Sequence, residues 1–271
     1  MTRSRSVLFV PASRPERFAK ALASGADRVV VDLEDAVSPD DKARARAALA
    51  AHLDAHPALP LGVRINGADS PWQADDLALV RRYPQLSWVM VPKAESAAEL
   101  AALNCDRPLL PLIETARGLL NLAAIASAPG VRQLGYGGLD LGVDLGLTPD
   151  TDGARAQLDG VRLQLVLHSR AADLPPPLET VCPEFKDPTV VQDWARRARD
   201  IGFDGMLCIH PAQVNAAHQG FGFDPADQDW ARRVLAGAAA HQGAAFQLDG
   251  AMVDAPVIRR AERILAASGA D

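Results

Sequence analysis

The chain alternates short apolar segments with longer alanine-rich ones, and this rhythm limits the possible folds more than any other feature. Buried strands are predicted at SVLFVP, DRVVVDLED, LGVRIN, SWVMVPK and RPLLPLIET. Helices are predicted between them, as at RPERFAKALASG and SPDDKARARAALAAHLDAH, which both carry a proline in the first turn. Because strands that regularly alternate with helices form a parallel sheet, the pattern indicates an α/β fold.

The number of these units favours a closed barrel. About eight strand–helix units fit into the 271 residues, as in a (β/α)8 barrel. An open, doubly wound sheet is the alternative, but no GxGxxG motif follows the first strand. We therefore predict a barrel over residues 1–223 and a C-terminal helical extension over residues 224–271. In that extension an irregular QLDGAMVD segment precedes a last helix that starts at Pro256.

The second half of the barrel is less regular in sequence. The sixth strand is predicted at VRQLGYGGLD, and the LGVDLGLTPDTDG segment that follows it is predicted as a loop. A weak seventh strand is predicted at PLETVCPE and the eighth strand at DGMLCIHP.

Charge and cysteine content exclude several classes of partner. The formal net charge of −6 gives no reason to expect nucleic acid or an anionic membrane surface. No apolar run approaches the roughly 20 residues that span a bilayer. Cys105, Cys182 and Cys208 are odd in number, far apart and without CxxC spacing. We therefore expect neither a disulfide framework nor a zinc site. We do expect a cytoplasmic location.

Polar side chains end most of the predicted strands, at the edge where barrels of this kind carry their chemistry. These residues are Asp32, Glu34, Asp35, Arg64, Asn66, Lys93, Glu95, Glu114, Asp140, Glu179 or Glu184, and His210. So many carboxylates around few basic groups would repel one another unless a cation compensates them. Since the strong candidate ligands are all oxygens, the sequence favours Mg²⁺ or Mn²⁺ over zinc.

Glu114 and Asp140 are the best candidates for metal ligands, because they end neighbouring strands and such ends lie roughly 5 Å apart. The residues alone leave further roles open. Glu114 could cap the following helix or pair with Arg117. Lys93 and Glu95 could pair with each other at the barrel rim.

A set of motifs runs along nearly the whole chain in the order of one known family. They are RSVLFVPASRPERFAKALASGADRVVVDLEDAV, VRIN, VPKAES, LIETARGLLN, YGGLDLGVDLG, GFDGMLCIHPAQV and GAMVDAPVIRRAERIL. The ordered set resembles the citrate lyase β-subunit / malyl-CoA lyase family, which belongs to the HpcH/HpaI aldolase superfamily of CoA-ester lyases. The resemblance implies a (β/α)8 TIM barrel of the phosphoenolpyruvate/pyruvate type.

The resemblance also implies roles for individual residues. By analogy, Glu114 and Asp140 hold Mg²⁺, Arg64 binds the acid oxygens of the substrate, and Glu34 and Asp35 support the water shell of the metal. Asp254 is implied as an acid/base that reaches a neighbouring subunit, in a homo-oligomer such as a trimer or hexamer. The resemblance also implies that Glu114 contacts the substrate, that Lys20 and Lys42 lie near the CoA phosphates, and that Ile209 and His210 lie beside the substrate.

The implied reaction is cleavage of a 3-hydroxyacyl-CoA thioester of the citryl-, citramalyl- or malyl-CoA type into acetyl-CoA or propionyl-CoA and an oxo acid, or the reverse condensation. Two different functions stay open: a β subunit that acts only within a citrate lyase complex, and a metal-dependent aldolase that acts on free oxo acids without CoA. Departures at Ala12, Met206 and residues 174–187 leave the acyl chain undefined. The tryptophans and His210 also have structural interpretations, as packing residues.

Overall fold

A closed barrel of eight parallel strands forms the centre of the molecule. The structure is a computed structural model that describes residues 4–56 and 60–268. The strands are β1 (Ser6–Pro11), β2 (Arg28–Asp32), β3 (Leu61–Arg64), β4 (Leu86–Val91), β5 (Leu109–Ile113), β6 (Gly135–Tyr136), β7 (Leu178–Glu179) and β8 (Gly205–Cys208). Because β1 pairs with both β2 and β8, the sheet has no free edge. The predicted (β/α)8 barrel is confirmed, and the open sheet is excluded.

Helices surround this barrel. They are α1 (Phe18–Leu22), α2 (Lys42–Ala55), α3 (Gln73–Arg82), α4 (Ala97–Ala102), α5 (Ala116–Leu120), α6 (Leu122–Ala126), α7 (Gly138–Asp144), α8 (Asp152–Ala171), α9 (Pro188–Asp200) and α10 (Gln213–Phe221). Short 3-10 turns at Pro15–Arg17 and Pro39–Asp41 precede α1 and α2, where the prolines were predicted to open the helices. Side chains of Ser96, Thr115, Thr151 and Asp187 accept N–H groups in the first turns of α4, α5, α8 and α9.

The sixth strand is shorter than predicted, and this changes the element that carries Asp140. β6 ends at Tyr136, and the chain turns at once into α7, where a loop was predicted. Two glycines make the turn possible. A Cβ at Gly137 would lie 2.2 Å from Oε2 of Glu114, and a Cβ at Gly138 would lie 2.9 Å from the Tyr136 ring. Asp140 therefore lies in the first turn of a helix instead of at the end of a strand.

The barrel interior is packed with apolar side chains and is not a channel. The cluster consists of Val7, Val30, Trp88, Met90, Leu110, Leu112, Leu178 and Leu207. Trp88 is its largest member, and it fits because the facing residue on β3 is Gly62, where a Cβ would lie 2.1 Å from the indole ring. A second and larger apolar layer lies between the strands and the surrounding helices. These two layers hold the strand ends in fixed relative positions.

At the amino-terminal end of the barrel, a polar cluster joins β1 to α10. Nε2 of His218 lies 2.8 Å from Oγ of Ser6 and 3.4 Å from Oδ2 of Asp27. Because the serine and the carboxylate meet the same imidazole nitrogen, the histidine cannot pass a proton from one to the other as in a catalytic triad. Ser6 is also fully buried. The cluster therefore fastens the ends of β1, β2 and α10.

The C-terminal extension consists of α11 (Pro225–Ala240), a hairpin of β9 (Phe246–Leu248) and β10 (Ala251–Val253), and α12 (Ala255–Ser268). The prediction of an irregular QLDGAMVD segment was wrong. Asp249 and Gly250 both have positive φ, 51° and 80°, as a tight Asp-Gly hairpin turn requires. The extension has its own apolar cluster, with Ala231, Val234, Val253, Ala261 and Ile264 at its centre. Among residues 4–56 and 60–268, no helix has the length and apolar character to cross a membrane.

Two glycine substitutions test the packing between α9 and α10. A Cβ at Gly220 would lie 2.4 Å from the carbonyl oxygen of Gln192 and 2.5 Å from Cβ of Ala195. We therefore expect Gly220→Ala to lower the free energy of unfolding by about 1–3 kcal/mol. Gly160 on α8 is the control, since it is exposed and has open space at its Cβ position. Gly160→Ala should raise the free energy of unfolding by about 0.5–1 kcal/mol. Chemical denaturation measures both, and effects of the same sign would contradict this packing.

The cluster around Asp27 predicts a loss of stability in acid. Burial acts to raise the pKa of Asp27, but hydrogen bonds from His218 and Arg5 outweigh it and bring the pKa well below its usual range. A carboxylate whose pKa is lowered in the folded state stabilises the fold at pH values above its unfolded-state pKa of about 3.9. This contribution disappears as the pH falls toward the pKa of the folded state. The difference in free energy of unfolding between the native protein and Asp27→Asn should therefore shrink from pH 5 to pH 2. A difference that stays constant over this range would rule the interpretation out.

Candidate active site

A cavity of about 390 Å³ opens at the carboxyl-terminal ends of the barrel strands, and we refer to it as the barrel-mouth cavity. Its polar wall consists of Asp32, Asp35, Arg64, Glu114, Asp140 and Thr180, and its apolar wall includes Phe9, Leu112, Leu139, Val181, Leu207 and Ile209. Six residues that the sequence analysis placed at strand ends or beside the substrate therefore share one cavity: Asp32, Asp35, Arg64, Glu114, Asp140 and Ile209. Thr180 is an addition that only the structure assigns to it.

Glu114 directly follows β5 and is almost completely buried, with 3% of its surface exposed. Its Oε1 accepts a hydrogen bond from the backbone N–H of Lys93 at 2.7 Å. Its predicted roles as a helix cap and as a partner of Arg117 are excluded by the contacts of its neighbours. Thr115 caps α5 by accepting the N–H of Gly118, and Arg117 lies 3.4 Å from Glu95. Glu114 is therefore oriented toward the cavity by the backbone of the preceding strand end.

The surroundings of Glu114 favour a bound cation. Burial raises its pKa to about 7, and the nearby carboxylates of Glu34 and Asp140 add to this, although the Lys93 N–H acts in the opposite direction. Two carboxylates that repel each other at the mouth of a cavity become favourable neighbours when a divalent ion lies between them. The absence of a side chain at Gly137 leaves the space beside Oε2 of Glu114.

Asp140 reaches the same cavity from the first turn of α7, where it is exposed. This turn is fixed by Thr180, which follows β7 and whose Oγ1 accepts the N–H of Gly138 at 3.0 Å. Asp144 at the other end of α7 accepts the N–H of Ala116 at 2.7 Å, so α7 also contacts the start of α5. These two bonds hold Asp140 in a constant position relative to Glu114. The weak seventh-strand pattern gave no signal that Thr180 would do this.

Arg64 ends β3, and the buried carboxylate of Asp32 holds its side chain in place. Its Nε and Nη2 donate to Oδ1 and Oδ2 of Asp32 at 2.8 and 2.6 Å. Its Nη1 lies 2.9 Å from Oε2 of Glu34 and 3.5 Å from Oδ2 of Asp35. Asp32 is 1% exposed and also accepts the N–H groups of Glu34 and Ala36. Asp32 therefore orients the guanidinium, and Arg64 lines the wall of the barrel-mouth cavity.

Glu34 and Lys93 border a second cavity of about 470 Å³ beside the first. The Nζ of Lys93 donates to Oε1 of Glu34 at 2.6 Å. The predicted pairing of Lys93 with Glu95 was wrong, because Glu95 pairs with Arg117. Lys42 is 5% exposed and donates to the carbonyl oxygens of Leu33 and Glu34, so it supports the loop after β2 and is not available to a phosphate.

Besides Glu34 and Lys42, three further predicted site residues lie outside the wall of the barrel-mouth cavity. Lys20 is exposed on α1. His210 stacks on Phe185 with ring centroids 4.9 Å apart, and its Nδ1 accepts the N–H of Ala212, in agreement with a packing role. Asp254 precedes α12 and accepts the N–H of Val257, the hydrogen bond of an N-cap. The chain thus does not bring Asp254 to the cavity of its own barrel.

The described residues of the cavity wall offer oxygen ligands and include no His or Cys. Within residues 4–56 and 60–268, no three His, Cys, Asp or Glu side chains are grouped closely enough to enclose a metal. A pair of carboxylates with a wide opening is nevertheless typical of Mg²⁺, which keeps several positions for water and substrate. The free cysteines Cys105, Cys182 and Cys208 lie elsewhere, so a thiolate site is not formed.

Known proteins share both this sequence and this fold. The family model described as HpcH/HpaI aldolase/citrate lyase matches residues 5–211. A citrate lyase subunit beta-like protein from Deinococcus radiodurans is 38% identical, with 96% of both chains covered. A (3S)-malyl-CoA thioesterase from Cereibacter sphaeroides is 36% identical, with 97% of this chain and 93% of that protein covered.

A solved structure extends the similarity to three dimensions. Protein CitE from Mycobacterium tuberculosis, in complex with magnesium, acetoacetate and coenzyme A, superposes with a TM-score of 0.87 at 37% identity, covering 99% of both chains. A citrate lyase beta subunit from Mycobacterium tuberculosis, complexed with oxaloacetate and magnesium, matches at 36% identity with a TM-score of 0.73, covering 81% of this chain and 97% of that chain. With the family model and relatives that match along almost its whole length, this chain belongs to the HpcH/HpaI aldolase/citrate lyase family and is an enzyme of the lyase class.

Proposed function

We propose that this protein is a Mg²⁺-dependent carbon–carbon lyase that cleaves a 3-hydroxyacyl-CoA thioester into a shorter acyl-CoA and an oxo acid, or catalyses the reverse condensation. The observation that carries the proposal is the convergence of Glu114, Asp140 and Arg64 on one cavity. A relative that holds magnesium, acetoacetate and coenzyme A supports the same ligand classes here.

Glu114 and Asp140 would hold the ion, and Mn²⁺ would bind the same oxygen ligands. The fit is supported by the burial of Glu114, the repulsion between the two carboxylates and the open space beside Gly137. When bound, the ion supplies a template and Lewis acidity for the oxygen atoms of the oxo acid.

The residues of the chain then have defined roles. The guanidinium of Arg64, which lines the cavity, binds the carboxylate of the substrate and stabilises the oxygen that becomes a carbonyl. Asp35 is exposed on the cavity wall and accepts the proton of the substrate hydroxyl. The apolar side chains of Phe9, Leu112 and Leu207 form the floor of the cavity and exclude water from the reacting carbons.

Cleavage breaks the C2–C3 bond, forms the carbonyl bond of the oxo acid from the electron pair of the O–H bond, and transfers two protons. The hydroxyl loses its proton and becomes the carbonyl of the oxo acid. The electrons of the C2–C3 bond remain on C2 as the enolate of the acyl-CoA. An acid then returns a proton to C2, and we assign this step to Asp254 of a neighbouring subunit. The condensation follows the same steps in reverse.

The assignment of Asp254 requires an oligomer in which residues 224–271 close the site of the next chain. Asp254 does not line the cavity of its own barrel, although it follows a hairpin with an exposed apolar residue, Met252, at 70%. The helices α5 and α7, which follow β5 and β6, also expose Leu120 and Val143, at 86% and 82%. Exposed apolar residues at both places support contact between the extension and the rim of another chain, as in a trimer or hexamer.

Thioester hydrolysis is a second candidate, because a relative with 36% identity is a (3S)-malyl-CoA thioesterase. The two reactions give different products from the same substrate. A lyase releases acyl-CoA and an oxo acid, whereas a thioesterase releases free CoA and a hydroxy acid. A β subunit that needs a citrate lyase complex would be inactive on CoA thioesters when isolated, and so would an aldolase of free oxo acids.

The metal pair is tested by two isosteric substitutions. Glu114→Gln and Asp140→Asn keep the shape of the side chains but remove a ligand charge. We expect each to weaken Mg²⁺ binding by at least about 100-fold and to abolish the release of oxo acid from malyl-, citramalyl- or citryl-CoA. Titration calorimetry gives the affinity, and mass spectrometry gives the products. Asp200→Asn is the matched control, since Asp200 is an exposed carboxylate on α9 that pairs with Arg199. Turnover that survives in either ligand variant would refute the assignment.

Mixed oligomers test whether Asp254 acts in a neighbouring subunit. Glu114→Gln and Asp254→Asn chains should each be inactive alone. When equal amounts are unfolded and refolded together, about one quarter of the sites combine an intact Glu114 with an intact Asp254 from the other chain. Activity should therefore recover to about one quarter of the native value. No recovery, or full activity of Asp254→Asn alone, would contradict the proposed arrangement.

A further inference from the structure

Lys93 has an unusual backbone conformation at the edge of the active site. It follows β4 and has φ of 47°, in the left-handed region that long side chains rarely adopt. Of the described non-glycine residues with positive φ, the others are Asn104, Asp150, Asp173, Gln242 and Asp249. None of those five lines the barrel-mouth cavity or its neighbour. A disfavoured conformation at this one position points to a function for the residue.

The conformation lets one residue contact two buried carboxylates, those of Glu114 and Glu34. The backbone N–H of Lys93 donates to Oε1 of Glu114 at 2.7 Å, and its Nζ donates to Oε1 of Glu34 at 2.6 Å. The left-handed φ of Lys93 sets the orientation of the peptide unit that carries this N–H relative to the chain that follows. The first bond fixes the rotation of the Glu114 carboxylate, so that its other oxygen lies beside Gly137 at the cavity.

The second bond, from Nζ of Lys93 to Glu34, connects Lys93 to Arg64 through the Glu34 carboxylate. Glu34 is 7% exposed, and its two oxygens are divided between two cations, with Oε1 on Lys93 and Oε2 at 2.9 Å from Nη1 of Arg64. Without the ammonium group, the full charge of this buried carboxylate would fall on Arg64. The guanidinium would then have fewer N–H groups for an anionic substrate, since Asp32 already occupies Nε and Nη2.

We propose that Lys93 is a positioning residue for both halves of the site: its backbone N–H orients Glu114 toward the metal position, and its ammonium group holds Glu34 so that Arg64 stays available to the substrate. Lys93 is not a catalytic residue in this scheme, because it lines the second cavity and not the barrel-mouth cavity. The part concerning the substrate rests on the proposed function. Each of the two contacts leads to its own prediction, and a separate pair of variants tests each prediction.

The first pair, Lys93→Gly and Lys93→Ala, tests the backbone contact. Both lack the ammonium group, but glycine adopts positive φ freely and alanine does not. We expect the Mg²⁺ affinity of Lys93→Gly, measured by titration calorimetry without substrate, to stay within about 3-fold of the native value. That of Lys93→Ala should fall by about 10-fold or more, because its backbone relaxes away from Glu114. Equal affinities of the two variants would overturn this part of the proposal.

The second pair, Lys93→Met and Lys93→Arg, tests the ammonium contact. Methionine keeps the bulk of the side chain without its charge, whereas arginine keeps the charge. We expect Lys93→Met to raise KM by about 10-fold or more while kcat falls less, and Lys93→Arg to recover most of the loss. A merely structural role would lower stability without this separation of KM from kcat. Native-like kinetics of Lys93→Met would overturn the inference.

The native protein distinguishes failure of this inference from failure of the proposed function. If it binds Mg²⁺ and releases an oxo acid, the variants report on Lys93 alone. If it does neither, the proposed function is wrong whatever the variants do. Thermal unfolding of all four variants shows whether each is folded, and Lys93→Gly should remain folded because its backbone is unstrained.

Discussion

The repulsion between carboxylates gathered at the mouth of the barrel is the constraint on which the rest of this site depends. Four of them line one cavity with a single guanidinium: Asp32, Asp35, Glu114 and Asp140 around Arg64. Buried charges persist only when they are paired and hydrogen-bonded. The structure meets this requirement for Asp32 with a two-point contact to Arg64 and for Glu34 with contacts to two cations. Among residues 4–56 and 60–268, no basic side chain forms an ion pair with Glu114 or Asp140, and their shared charge is what a metal ion would neutralise.

The barrel makes this concentration of charge possible because the polar residues sit where the apolar packing stops. The interior around Trp88 and Leu112 is filled, so the strands cannot shift to separate the carboxylates. The loops above it are then fixed by buried polar bonds, such as Thr180 to Gly138 and Lys42 to the carbonyls of Leu33 and Glu34. The same rigidity keeps the ligands preorganised, which limits the reorganisation that binding requires.

Much of this was predictable from sequence, and the exceptions have physical causes. The strand–helix rhythm predicted the closed barrel, and the position of Glu114 after a buried strand predicted its place at the mouth. Asp140 was expected at the same edge but on a strand, because the Gly137-Gly138 turn depends on close contacts with Glu114 and Tyr136 that only the fold creates. The Lys93–Glu34 pair joins residues 59 positions apart, and a rim pairing with Glu95 was the local choice. The hairpin of the extension was missed although its Asp-Gly turn was visible.

The charge of the cavity also sets an order of events under the proposed function. Before a metal binds, the wall carries four carboxylates against one guanidinium, and Asp32 already occupies two nitrogens of that guanidinium. An anionic acid or acyl-CoA approaching this wall meets net negative charge, so its carboxylate gains little from Arg64 alone. A divalent cation reverses that balance at the position between Glu114 and Asp140. Metal binding therefore has to precede substrate binding, and the lyase chemistry depends on the same two carboxylates that make the unliganded site unfavourable.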